Sequence, residues 1–101
     1  FVRIGRNSMV GGMAGVNQDV LPFSTVEGTP ARLLSINAIG LKRANFKPDV
    51  RAAIKKAFKI FAQPDLNTSQ SIEKIRSEVE MHEEIKYLLD FIKNSTRGVT
   101  K

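Results

Sequence analysis

The first third of the chain repeats a six-residue pattern of apolar and small positions. Blocks that begin at Ile4, Val10 and Val16 each open with a β-branched aliphatic residue, and two of the three place Gly second. The fifth position of each block is small or β-branched. This pattern is typical of a hexapeptide β-helix, whose first residue points into a triangular prism and whose corners take small residues. Three blocks predict one coil over residues 4–21, and the alternative is a Gly-rich loop.

A single coil is not a stable unit by itself. Stacked repeats need about three or more neighbours to bury their apolar faces, and an isolated coil leaves unpaired strand edges. The chain starts at Phe1 in the middle of the pattern, without a capping segment before the first block. We therefore expect earlier coils to have preceded it in a longer protein.

The second part of the chain changes to helical periodicity. Pro48 is a favourable first helical residue, Pro64 ends the stripe that follows it, and Asn67 is an N-cap candidate for the next helix. The three apolar stripes are Val50, Ile54, Phe58 and Phe61; Ile72, Ile75 and Val79; and Ile85, Leu88, Leu89 and Ile92. The pattern predicts a mainly α chain with a short β part: a coil and exit loop over residues 1–34, then a three- to four-helix domain over residues 35–101.

Composition narrows the classes of function. The chain of 101 residues has no Cys and one His, so the sequence provides neither a disulfide framework nor a conventional metal site, and we expect no cofactor. No apolar run reaches the roughly 20 residues that span a bilayer, so we expect a cytoplasmic protein without a membrane span. The net charge of +6 favours acidic partners.

No residue has the pattern of a catalytic group. His82 continues the stripe of the second long helix and is interpreted as a helix-end residue at the rim of the core. Asp19 is interpreted as a turn residue, and the adjacent Glu83 and Glu84 as part of a solvated helix face. We assign no catalytic residue.

The segment that joins the two parts concentrates polar chemistry. Arg43 could pair with phosphate oxygens through two nitrogens, and Asn37 could contact a base or sugar edge. Gly40, between them, would allow close approach of a backbone. The alternative is an ordinary short helix with solvated cations.

A second basic surface lies on the first long helix. Its members, spaced to share one face, are Arg51, Lys55, Lys56 and Lys59. The functional interpretation is a dock for an acidic protein, and the alternative is a solvated face. A basic module that binds nucleic acid is a further alternative, but the helices mix acids with bases and contain one Tyr, so we expect no nucleic-acid partner.

Several of these runs together resemble a known family. The hexads up to Gln18-Asp19-Val20, the linker run Gly40-Leu41-Lys42-Arg43 and the tail Ser95-Thr96-Arg97-Gly98 are similar to bacterial UDP-N-acetylglucosamine O-acyltransferase, the first enzyme of lipid A synthesis. The resemblance covers essentially the whole chain. Another hexapeptide acyltransferase, such as the N-acyltransferase later in that pathway, is the alternative that the linker disfavours.

The resemblance implies a fold, an activity and site residues. It implies a homotrimer of left-handed parallel β-helices with helical carboxy-terminal domains, which moves a 3-hydroxyacyl chain from acyl carrier protein to the 3-hydroxyl of the UDP-sugar. It further implies that Asn37 and Arg43 bind the nucleotide sugar and that Gly12 occupies the position limiting acyl-chain length. A Gly there implies a longer chain than a bulky residue would allow.

The chain departs from the family's pattern in two places. Ile39 stands where many members have an acid, and Ala44 where many have a second Arg, so one carboxylate contact and one phosphate contact are in doubt. The family's catalytic histidine lies in earlier coils and has no match here. We therefore expect the chain to be inactive when it is produced alone.

Overall fold

The computed structural model describes residues 2–101, and Phe1, the start of the predicted coil region, lies outside them. The chain forms three strands and then four helices. The strands are β1 (Met9–Val10), β2 (Ser24–Glu27) and β3 (Arg32–Ile36). The helices are α1 (Ala38–Arg43), α2 (Pro48–Phe61), α3 (Thr68–Glu78) and α4 (Glu83–Lys93). The expected order, a short β part followed by helices, is confirmed.

The hexad segment winds as a coil with parallel pairing. Ile4 bridges to Val20, and β1 pairs in parallel with β2 through Met9 and Thr25. Parallel contacts between consecutive circuits of one chain are the mark of a β-helix, so the coil interpretation is confirmed and the Gly-rich loop is excluded.

The predicted register of the coil is wrong. Three full hexads would place the residue after Leu21 beside Ile4, but the bridge joins Ile4 to Val20, a separation of 16 residues. The backbone turns at Arg6 and Asn7, where Asn7 has a φ of 57°. Because Ile4 is 54% exposed and Val10 and Val16 are half-buried, the opening positions of the hexads are not uniformly internal.

A second, partial circuit replaces the expected exit loop. β2 pairs antiparallel with β3, and the turn between them contains Gly28 at a φ of 92°. The pairing slips by one residue between Thr25 and Val26, which leaves Leu34 as a bulge residue on β3. The chain thus leaves the coil through a hairpin, which brings it to the start of α1.

The long helices follow the predicted stripes. α2 begins at Pro48 and ends before Pro64, as expected. Asn67 caps α3 through a reciprocal pair of hydrogen bonds with Gln70, with distances of 2.8 and 2.9 Å. All four stripe residues of α4 are buried. Local caps and periodicity therefore determine where these helices lie.

One hydrophobic cluster joins the helices to the coil. Leu21 and Phe23, both from the second circuit, are buried in the same cluster as Leu41, Ile54 and the helical stripes. Phe23 meets Phe46 edge to face, with ring centroids 5.7 Å apart. The helical part therefore packs directly on the end of the coil.

Within the described residues, the structure has neither a membrane-spanning helix nor a metal-binding cluster. No helix over residues 2–101 is both long enough and apolar enough to cross a bilayer. Over the same range, no cluster of three or more acidic or imidazole side chains is placed to hold a metal ion.

Candidate functional site

Asn37 occupies the amino-terminal cap of α1, at the junction between coil and helices. Its side-chain oxygen accepts a hydrogen bond from the Gly40 amide at 3.3 Å, and its amide nitrogen donates to the Asn7 carbonyl at 3.0 Å. A Cβ at position 40 would collide with the Asn37 side chain, which explains the Gly there. Asn37 thus ties α1 to the coil corner, and its side chain has a second N–H beyond the one that bonds to the Asn7 carbonyl.

Arg43 lies at the opposite end of the same short helix. It is exposed in the last turn, where a cation is favourable beside the carboxyl-terminal carbonyls. Six residues of helix separate it from Asn37 by about 9 Å along the axis. The two side chains can therefore reach separate parts of one extended ligand.

The two departures from the family pattern lie on this helix as well. Ile39 is 67% exposed, and Ala44 is the exposed carboxyl-terminal cap residue. Neither contributes to the core. The fold accordingly does not require an apolar residue at either position.

Gly12 lies at an exposed corner of the coil, beside a shallow cavity of about 220 Å³ that also reaches Glu27 and Gly28. A Cβ added at Gly12 would meet nothing within 4 Å, whereas one at Gly5 would overlap the backbone of Pro22. Gly5 is needed for the close approach of the two circuits. Packing of the coil therefore does not require a Gly at position 12.

The four basic residues of α2 do not act as one set. The Arg51 Nε donates to the Phe46 carbonyl at 3.2 Å, and the Lys56 Nζ donates to the Glu78 carbonyl at 2.8 Å. Lys55 and Lys59 are exposed and line a groove between α2 and β3. Three of the four therefore border this groove, since Arg51 lines its continuation, and Lys56 faces α3 instead.

Asp19 has a structural role that the sequence interpretation as a simple turn residue missed. It is 2% exposed, accepts the Arg3 amide at 2.7 Å and accepts the Ser95 hydroxyl at 2.7 Å. Burial raises the pKa of the Asp19 carboxyl, but these two hydrogen bonds and the Arg3 charge lower it more, so the pKa lies below its ordinary value of 3.8. Asp19 fastens the coil to the carboxyl-terminal tail.

The sequence alone does not reveal the contact between Asp19 and Ser95, because the two residues are 76 positions apart along the chain. The Arg3 guanidinium adds a contact to the same carboxylate, with 3.7 Å between Nε and Oδ2. Its NH2 group also donates to the Phe91 carbonyl of α4 at 2.9 Å. This polar cluster is therefore a joint between the two parts and not a reaction centre.

His82 does not continue the helix of Ile72 and Ile75 as the stripe predicted, because α3 ends at Glu78 and His82 is the amino-terminal cap residue of α4. It is a helix-end residue, as expected. Its Nε2 lies 3.5 Å from the Glu80 carboxylate, and its side chain is 18% exposed. It has no nucleophile beside it in the hydrogen-bond network of residues 2–101. Glu83 begins α4 on the exposed face and pairs with Lys86 at 3.4 Å.

The comparison with known families decides the identity of this chain. The profile described as UDP N-acetylglucosamine O-acyltransferase, domain 2, matches residues 19–100. The chain belongs to this family. The resemblance in the hexads, linker and tail is thereby confirmed.

Relatives and solved structures of the family agree with the assignment. The acyl-[acyl-carrier-protein]–UDP-N-acetylglucosamine O-acyltransferase of an Anaeromyxobacter species is 38% identical over 101 residues, which is all of this chain and 39% of the relative. That of Syntrophobacter fumaroxidans is 43% identical over 98 residues, 96% of this chain and 38% of the relative. The UDP-N-acetylglucosamine acyltransferase structure from Bacteroides fragilis superposes with a TM-score of 0.96 at 36% identity, over all of this chain and 40% of that one.

The chain thus spans about 39% of the length of the curated relatives it matches. Within the family, it carries the end of the coil and the helical part. The comparisons give no support to a nucleic-acid-binding module or to a free-standing basic module.

Proposed function

We propose that this chain forms the carboxy-terminal part of an acyltransferase that moves a 3-hydroxyacyl chain from acyl carrier protein to the 3-hydroxyl of UDP-N-acetylglucosamine. In this proposal the full-length enzyme is a homotrimer of left-handed β-helices and acts in lipid A synthesis. The proposal rests on family membership over residues 19–100, together with the parallel coil. Its direct test is an assay of the full-length enzyme with acyl-carrier and free sugar-nucleotide substrates, which should give the O-acylated product.

The catalytic base lies outside this chain in the proposal. The backbone of His82 forms the start of α4, its imidazole makes no hydrogen bond within residues 2–101, and no described residue has the geometry of a base beside a nucleophile. The 101-residue chain should therefore show no acyl transfer alone. Turnover by the chain alone would contradict this part of the proposal.

The nucleotide sugar is proposed to contact Asn37 and Arg43. Arg43 has an exposed guanidinium that suits phosphate, and Asn37 retains one free N–H. In the full-length enzyme, Arg43→Ala should raise the KM for the UDP-sugar about tenfold, as expected for a lost charge-assisted contact. Lys93→Ala is the matched control, because Lys93 is an exposed cation in the last turn of another helix.

Gly12 is proposed to set the acyl-chain length. The space around its missing Cβ is open, so a long side chain there would occupy the surface without disturbing the coil. Gly12→Met should shift the preference of the full-length enzyme toward a shorter acyl donor and leave its melting temperature unchanged. An unchanged chain-length profile would contradict the role.

The carrier protein is proposed to dock on Arg51, Lys55 and Lys59, the basic residues of α2 that border the groove, whereas Lys56, which faces α3, is left out of the surface. Because acyl carrier proteins are acidic, complementary charge should accelerate encounter and weaken with salt. Reversal of the two exposed members that line the groove, Lys55→Glu with Lys59→Glu, should raise the carrier KM at low salt and lose that effect at high salt. Lys93→Glu is the control. Equal effects of the control and the double variant on the carrier KM would contradict docking on this surface.

A further inference from the structure

Within residues 2–101, three residues other than Gly have a left-handed backbone, and all three lie around the short helix α1. They are Asn7 with a φ of 57°, Phe23 with a φ of 68° and Asn45 with a φ of 63°. This conformation is uncommon for Asn and unfavourable for Phe, and it persists only where the surrounding structure holds it. Asn45 follows the carboxyl-terminal end of α1, and the other two contact its amino-terminal cap. Because strained residues cluster where a fixed geometry is needed, they direct attention to this cap.

Asn7 and Phe23 are equivalent corners of successive circuits of the coil. They have the same separation along the chain as the two residues of the parallel bridge. The Phe23 amide donates to the Arg6 carbonyl at 2.9 Å, which stacks one corner on the other. The Phe23 side chain is fully buried in the core. The carbonyl groups of both corners therefore belong to a rigid part of the molecule.

These two corners fix Asn37 through its backbone and its side chain. Its backbone amide donates to the Phe23 carbonyl at 2.7 Å, and its side-chain Nδ2 donates to the Asn7 carbonyl at 3.0 Å. The side-chain Oδ1 accepts from the Gly40 amide at 3.3 Å. A carbonyl only accepts and an amide N–H only donates, so the two ends of the carboxamide cannot exchange. Because the carboxamide is planar, these bonds also set the direction of its second N–H.

Gly40 has a reason to be Gly that is separate from its own backbone. It lies within α1, where its backbone conformation is one that any residue adopts. A Cβ at this position would overlap the Asn37 carboxamide, and that group is the far end of a flexible side chain. Rotation of Asn37 would relieve the overlap and would break both of its side-chain hydrogen bonds. The missing Cβ of Gly40 therefore keeps Asn37 in its present orientation.

We propose that Asn7 and Gly40 are positioning residues for Asn37, which they hold so that its second N–H donates to an acceptor oxygen of the nucleotide sugar. This inference rests on the proposed function and adds to it two residues that do not themselves touch the ligand. A donor that is held in place before binding loses no side-chain entropy when the ligand arrives, so its contact contributes more to affinity.

The first test compares two variants of the full-length enzyme. Asn37→Ser removes the N–H groups and keeps an oxygen that can cap α1, whereas Gly40→Ala keeps the carboxamide and displaces it. Each should raise the KM for UDP-N-acetylglucosamine about fivefold, as expected for one lost neutral hydrogen bond. The carrier-protein KM is the control and should be unchanged. The melting temperature of Gly40→Ala should also be unchanged, because the helix propensity of Ala offsets the lost cap.

The combined variant separates positioning from an independent structural effect. If Gly40 acts through Asn37, then adding Gly40→Ala to Asn37→Ser should leave the sugar-nucleotide KM about fivefold above the parent value, because the displaced group is already absent. Independent effects would multiply to about 25-fold, and that result would overturn the inference.

Asn7 offers a second pair of variants outside α1. Asn7→Gly keeps access to the left-handed backbone, whereas a β-branched residue disfavours it strongly. Asn7→Val should therefore move the carbonyl and raise the sugar-nucleotide KM, with the carrier-protein KM unchanged, and Asn7→Gly should keep the parent value. Equal sugar-nucleotide KM values for these two variants would overturn the role of Asn7.

The same measurements distinguish the inference from the function on which it rests. An inactive parent enzyme would refute the proposed function itself. An unchanged sugar-nucleotide KM in Asn37→Ser would refute the contact of Asn37, and the inference with it. A raised KM in Asn37→Ser, together with parental values in Gly40→Ala and Asn7→Val, would refute the positioning alone.

Discussion

Asp19 is a carboxylate that the fold withdraws from solvent and surrounds with donors. Its pKa lies below the ordinary value, so the folded state favours the charged form. A lowered folded pKa contributes stability that is complete above the unfolded value near pH 4 and is lost as the pH falls through the folded pKa. The joint between coil and tail should therefore weaken in acid.

Asp19→Asn tests this linkage. At pH 7 the variant should lose about 2 kcal/mol of unfolding free energy, because charged hydrogen bonds from Arg3 and Ser95 are replaced by weaker ones. Urea unfolding of the 101-residue chain between pH 7 and pH 3 should show the two proteins converging as the pH falls. A constant difference across this range would contradict the charge-based account.

Ser71 is a polar residue that the fold leaves without a partner. Its hydroxyl is fully buried on α3 and makes no hydrogen bond to any of residues 2–101. Ser71→Ala should stabilise the chain by about 1 kcal/mol, since it removes a desolvated hydroxyl and favours the helix. Ser77→Ala is the matched control, because Ser77 is exposed on the same helix and bonds to the Lys74 carbonyl. An equal gain in stability for Ser71→Ala and Ser77→Ala would mean that the higher helix propensity of Ala alone explains it.

At the scale of elements, the two circuits of the coil depend on a backbone contact at Gly5. A methyl group there would overlap Pro22, whereas one at Gly12 would meet open space. Gly5→Ala should therefore cost about 2 kcal/mol or more of unfolding free energy, and Gly12→Ala less than about 0.5 kcal/mol. Thermal unfolding of the two variants side by side provides the measurement. A costly Gly12→Ala would show that its role is structural.

The sequence predicts the helices better than it predicts the coil because their determinants are local. Pro48 and Asn67 position helix starts, and apolar spacing identifies the buried face. The coil's repeat is visible, but its register depends on the corner at Asn7 and on pairing across 16 residues. The six-residue pattern does not predict the hairpin, because the pairing of β2 with β3 depends on contacts between the two strands.

In the candidate site, too, the sequence predicts the local features and does not predict the tertiary contacts. The sequence identifies Asn37 as a polar residue of the junction. Its hydrogen bond to the Asn7 carbonyl forms only because the coil lies beside α1. Spacing predicts the basic face of α2, and the groove beside it exists only because β3 packs along α2. Residue types and local spacing identify candidate residues, and the tertiary fold determines what each one contacts.

At the scale of the whole molecule, the predicted boundary near residue 34 is crossed by a single core. Phe23 of the coil contacts Phe46 and Tyr87 of the helical part, with centroid separations of 5.7 and 6.0 Å. Arg3 reaches α4 through the Phe91 carbonyl. The two regions therefore share both apolar and polar contacts, and we expect them to unfold together.

Phe23→Ala distinguishes one cooperative unit from two. Loss of this buried ring should cost about 3–5 kcal/mol, the range for large aromatic truncations in cores. If the core couples the regions, native-state hydrogen exchange should show opening free energies that fall by similar amounts at Val20 and at Ile54. If the helices formed an independent domain, protection at Ile54 would persist while protection at Val20 was lost. The buried contacts of Leu21 and Phe23 with the helical core favour the coupled outcome, because removing Phe23 leaves a cavity at the interface and not at the periphery of either part.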